Sequence, residues 1–164
     1  MGIISRLISK KITAKREAEA GYAFQEPAPA DAVRTIDIEG MTDDKVRQTL
    51  AFIEPFFEDG MPEYTLQRNG DVVRITLPAA IGFYDYCTWV NNFIFADSGG
   101  HFYQVRGRYP VTAVSWGGIQ VGAGSLDLFT PGSLTGDDAD SVFFQTPAGT
   151  RYRFSLSRDA VSAF

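Results

Sequence analysis

An α+β protein is expected from this chain: a ferredoxin-like split β-α-β block (βαββαβ), preceded by an amphipathic helix and followed by an antiparallel β extension. Three observations carry that expectation. Between residues 33 and 108 the spacing of apolar residues switches between strand and helix periods in the order strand, helix, strand, strand, helix, strand. The pair Asn69-Gly70 lies between two alternating runs, which is the strongest short hairpin signal a sequence carries. The first sixteen residues hold five basic side chains and no acidic one, so the remaining ten Lys and Arg stand against all twenty Asp and Glu. Such a split suggests that the head docks while the body does something else. Four segments follow: a basic helix over 1–20, a proline-containing linker over 21–32, the α+β block over 33–108, and a β-rich extension of the same domain over 109–164.

In the head, Ile3, Ile4, Leu7, Ile8 and Ile12 recur at steps that place them on one helical stripe, with Arg6, Lys10, Lys11 and Lys15 beside or opposite it. This helix has three uses open to it. It can lay its stripe into a groove on a partner protein, pack on its own body or a second copy, or lie on an anionic membrane surface. Its acid-free composition is also that of a mitochondrial presequence. Arg6 stands where the myristoylation pattern asks for Ser or Thr. Pro27 and Pro29 then block a continuing helix and favour extended geometry.

In the block, Val33 to Glu39 alternates and ends at Gly40. Thr42 is the expected N-cap of a helix carrying Val46, Leu50, Ile53 and Phe57, with Asp43 and Asp44 in its first turn and Pro55 ending or kinking it. Glu63 to Arg68 and Asp71 to Leu77 are the hairpin strands, and Pro78 closes the second. Gly82 to Asp97 is helical, with Phe83, Cys87, Val90 and Ile94 on one stripe, and His101 to Arg108 alternates again. Beyond it, Val111 to Trp116, Ser125 to Phe129, Ser141 to Gln145 and Thr150 to Leu156 read as strands. Pro147-Ala148-Gly149 forms a turn between the last two, and Arg158 to Phe164 reads as a closing helical turn.

Composition narrows the function classes. A chain of 164 residues with 45% apolar content can bury a substantial core. No apolar run reaches the ~20 residues that span a bilayer. Cys87 alone excludes an internal disulfide and suits a reducing, cytoplasmic setting. The acidic body argues against nucleic acid.

Candidate chemistry is sparse. Cys87 and His101 are the nucleophile–base pair the composition offers, but Cys87 falls on a buried helical stripe, where cysteine acts as a small hydrophobe. The glycine-rich run Trp116 to Ser125 lacks the lysine of a P-loop and the spacing of a dinucleotide motif, so it reads as a connection or bulge. Asp137, Asp138 and Asp140 lack the ligand order of a calcium loop. Arg106 with Arg108, and Arg151 with Arg153, each share one strand face by period-two geometry. Were those strands neighbours, four guanidinium groups would line one surface suited to a carboxylate-rich or phosphorylated partner.

The expectation is therefore a non-catalytic interaction or assembly protein with no cofactor and no metal, anchored by its basic helix to a protein partner or a second copy. A peripheral membrane protein is the alternative, and a small enzyme or ligand-binding domain the third.

Overall fold

A computed structural model describes residues 23–24, 33–97, 101–111, 114–116, 119–121, 124–135, 138–158 and 160–163. Eleven strands, two α-helices and a short 3-10 turn make up the described residues. In chain order they are β1 (Ala23–Phe24), β2 (Arg34–Glu39), α1 (Asp43–Ile53), the 3-10 turn Glu54–Phe56, β3 (Thr65–Asn69), β4 (Val72–Leu77), α2 (Phe83–Ile94) and β5 (Gln104–Val111). After these come β6 (Val114–Trp116), β7 (Ile119–Val121), β8 (Gly124–Phe129), β9 (Ser141–Gln145), β10 (Arg151–Ser155) and β11 (Ala160–Ala163).

Local chemistry explains the element boundaries. The Thr42 hydroxyl accepts the Lys45 amide at 3.2 Å and caps α1, whose first turn carries Asp43 and Asp44. The helix gives way to the 3-10 turn at Pro55, which has no N–H to continue the ladder. Between β3 and β4 the chain reverses through Gly70 at φ 62°, a conformation that costs glycine little. Lys45 of α1 pairs with Asp97, just beyond α2, at 2.8 Å, joining the two helices at their solvent side. That hydrogen bond holds the Asp97 carboxyl below its usual range and raises the Lys45 ammonium.

Eight strands form one antiparallel sheet in the order β11-β10-β9-β8-β5-β2-β4-β3, and β1, β6 and β7 form a separate three-stranded sheet. Alternation decides the faces. Ile36, Ile38, Val73, Ile75, Val105, Leu126, Leu128, Phe144 and Phe154 point to one side and are buried with Val46, Leu50 and Ile53 of α1 and seven residues of α2. Trp89, Phe83 and Phe93 of α2 are at most 1% exposed, and a side chain of that kind contributes ~1.5–3 kcal/mol on burial. Tyr86 reaches across the helix–sheet contact, and its hydroxyl donates to the Thr35 carbonyl at 2.6 Å. Gly107 makes that approach feasible, because a Cβ there would lie 2.3 Å from the Tyr86 oxygen. Arg34 also lies on the core side, 4% exposed. Its guanidinium donates to the Pro110 carbonyl at 2.7 Å and sits 4.2 Å from the centre of the Tyr109 ring.

This architecture corrects the expected fold class. The protein is a strand-dominated, eight-stranded antiparallel sheet with two short helices on one face, not a ferredoxin-like α+β block carrying a β extension. The decisive finding is β5, which pairs with β2 along one edge and with β8 along the other, from Arg106–Phe129 to Val111–Gly124. An alternating pattern places a residue in a strand but says nothing about which strand takes its second edge. Here that edge is filled by β8, whose partners satisfy N–H and C=O groups that a four-stranded block would leave open.

The boundary expected at residue 108 thus falls inside a strand. Residues 160–163, expected as part of a helical turn, instead form β11 against β10. They do so by offering the alternating residues and backbone groups that extend a hairpin. The expected N-terminal helix over 1–20, with Ile3, Ile4, Arg6, Leu7, Ile8, Lys10, Lys11, Ile12 and Lys15, lies outside the described residues.

Candidate functional site

The helices cover one face of the large sheet; the other face carries the polar half of each alternating strand. Strand register sorts those side chains into rows that cross the sheet. One row runs Arg151, Gln145, Asp127, Arg108, Thr35 and Thr76 from β10 to β4. The next runs Arg153, Phe143, Phe129, Arg106, Asp37 and Arg74. Neighbours in a row are ~4.8 Å apart across strands, so arginines from strands distant in sequence meet over a short span.

These rows border a groove of about 670 Å³ lined by Arg74, Arg106, Arg108 and Arg151 together with Asp37, Asp127, Gln104, Gln145, Phe129 and the segment Thr130–Gly132. The arginines are engaged to different degrees. Arg74 grips Asp37 with both arms of its fork, at 2.8 and 2.9 Å, and that hydrogen bond raises its pKa. Among the described residues, the Arg108 guanidinium donates to the Ser125 hydroxyl at 3.1 Å. Arg151 donates to the Gln145 side-chain oxygen at 3.0 Å and lies 4.9 Å from the centre of the Phe129 ring. The Arg106 guanidinium has no hydrogen bond or ion pair among the described residues, and the same is true of the exposed carboxylate of Asp127. With Asp37 neutralised by Arg74, the groove presents three guanidinium groups against one carboxylate. Its local charge is therefore positive on a chain whose net charge is −5.

The strands carrying the expected arginine pairs are not neighbours, since β8 and β9 separate β5 from β10. Their guanidinium groups nonetheless share a face, and Arg106, Arg108 and Arg151 border the groove. Arg153 is held elsewhere, by Asp138 at 3.2 Å and by the Ser141 hydroxyl at 3.0 Å, at the end of β9. Sequence reasoning did not find Arg74, Asp127, Phe129 or Gln145 as lining residues. Alternation alone gives their facing, but grouping them needs the cross-strand register.

The remaining candidates are placed apart from the groove. Cys87 is fully buried in α2, while His101 is exposed ahead of β5. Asp138 is engaged with Arg153 and with the Thr135 amide. The Asp140 carboxylate accepts from the Ser155 hydroxyl at 3.0 Å and from that of Ser157, and these bonds, Ser157 first, hold it below the usual carboxylate range. Asp137 lies outside the described residues. Within the glycine-rich run, β7 pairs with β6, while Gly117, Gly118, Gly122 and Ala123 lie outside them. Among the described residues no group of three His, Cys, Asp or Glu is arranged to hold a metal ion, and no helix is long and apolar enough to cross a membrane.

No protein-family model matches the chain, and no similarity is found to a curated protein or to a solved structure.

Proposed function

We propose that this is a non-catalytic interaction or assembly protein whose open sheet face holds an acidic segment of a partner protein. One observation carries the reading: Arg106, Arg108 and Arg151 border a single groove, and none of them has a carboxylate partner among the described residues. Guanidinium forks with open donors on a rigid sheet match the planar geometry of carboxylates. The overall negative charge of the body gives a basic groove contrast, which favours specificity and encounter rate over bulk affinity. The basic head is the second attachment in this reading, bound to a partner of the assembly, and the buried thiol of Cys87 is compatible with a cytoplasmic setting. The head's five cations also favour a second reading, in which it rests on anionic lipid.

Fluorescence anisotropy with a labelled glutamate-containing peptide tests the groove. Arg106→Ala/Arg108→Ala should weaken binding about tenfold or more, and raised salt should weaken wild-type binding, since exposed charges are screened over ~8–10 Å. Arg47→Ala, which removes only a surface pair with Asp44, should leave it unchanged. Equal affinity of the double variant and the wild type would overturn the reading. Co-sedimentation with phosphatidylserine vesicles separates the two uses of the head. Pelleting that is lost on Lys10→Glu/Lys11→Glu would favour lipid over a protein partner.

A further inference from the structure

The groove is not uniformly basic, and the position of its carboxylate is informative. Asp127 sits between the arginines in one cross-strand row: Arg151, Gln145, Asp127, Arg108. The two arginines are three strand spacings apart, ~14 Å. Asp127 is exposed, is without an ion pair among the described residues, and stands directly opposite Arg108. A ligand of unbroken negative charge laid along this row would meet two guanidinium groups and a carboxylate between them.

An extended peptide crossing the strands advances ~3.4 Å per residue, so side chains four positions apart are ~14 Å apart. Side chains at the first, third and fifth positions of such a peptide share one face. The outer two then fall on the arginine ends of the row, and the middle one falls over Gln145 and Asp127. Arg106, two residues along β5 on the same face, supports the Arg108 end.

We infer that the groove selects a mixed-charge extended segment, acidic at its first and fifth positions and carrying lysine at the third, with Asp127 receiving the lysine ammonium. This rests on the acidic-partner reading above and narrows it. Arg108 with Arg106 takes one carboxylate, Arg151 takes the other, and Gln145, as both donor and acceptor, bridges to the peptide between them. Asp127 thereby acts as a selectivity residue: it attracts the matching cation and repels an anion in that place. A uniform polyanion such as single-stranded nucleic acid or polyglutamate is disfavoured by the same carboxylate.

Three blocked nonapeptides test this, each with two glutamates four positions apart in a glycine background and with lysine, glutamine or glutamate midway. With the full-length protein at low salt, wild type should bind the lysine peptide about five- to tenfold more tightly than the glutamine peptide, and the glutamate peptide most weakly. Asp127→Asn, a near-isosteric change at an exposed site, should bring the lysine and glutamine peptides to equal affinity and improve the glutamate peptide. Gln145→Glu should widen the preference for lysine. An unchanged ranking in Asp127→Asn, or tighter binding of single-stranded oligonucleotide than of the lysine peptide, overturns the inference while leaving an anion-binding groove. If no peptide binds, or Arg106→Ala/Arg108→Ala weakens none of them, the acidic-partner reading itself fails and this inference with it.

Discussion

Gly107 and Tyr86 form a pair in which each residue determines what the other can be. The phenol ring occupies the space a side chain on β5 would need, and its hydroxyl is bonded to the Thr35 carbonyl. Gly107→Ala should cost about 1–3 kcal/mol, because either the ring or the strand must shift in a packed interior; urea unfolding measures it. Burial pushes the Tyr86 phenol well above its ordinary range, so it remains a donor throughout the pH range of such a measurement. Asp140 makes a separate prediction. Its pKa is lowered in the folded chain by the Ser157 and Ser155 hydroxyls, so the fold favours the ionised form. The stability it contributes is fully present at neutral pH and is lost as pH falls below ~4 through the folded value. Asp140→Asn should therefore be less stable than wild type by roughly 1–2 kcal/mol at pH 7. Thermal melts of the two should converge as pH falls through the folded value, below which the wild-type carboxyl is protonated.

At the scale of elements, the parts whose signal lies within a few residues were legible. The Thr42 cap, the stop at Pro55, the Asn69-Gly70 reversal and the buried stripe of α2 through Cys87 each depend on neighbours no more than four positions away or on a single period. What depends on distant chain was not legible. Alternation in Gln104 to Val111 marks a strand equally well as an edge or as the middle of a sheet. It therefore gave neither the pairing with β8 nor the cross-strand row that Arg151 and Arg108 share. Arg74 escaped notice because its ion pair joins β4 to β2, residues 37 positions apart.

Position in the sheet also predicts which elements open first. β3 pairs only with β4 and is exposed at all five residues, whereas β2 and β5 are paired on both edges and bury alternate residues. Amide hydrogen exchange should find β3 least protected of the β2–β5 strands and β5 among the most. Protection of β3 equal to that of β5 would contradict the observed strand order.

Across the whole molecule, the open face is built from both halves of the chain. Arg106 and Arg108 come from β5, at the middle of the sheet, and Arg151 comes from β10, three strands beyond it. The floor between them, Asp127, Phe129 and Gln145, belongs to β8 and β9. Truncating the chain after β5 would remove one end and the floor of the groove together, so its binding property belongs to the complete sheet. The same sheet also bears on how quickly the chain reaches its native form. Strands β8 to β11 are joined to their neighbours by successive local reversals, but β2 meets β5 through partners such as Ile36 and Gly107, 71 residues apart. Local hairpins close in microseconds, whereas a non-local ladder must first meet the entropy of closing its loop. The β2–β5 seam is therefore the step expected to set the pace of folding, and stopped-flow refolding should be slower than its many short turns alone would suggest.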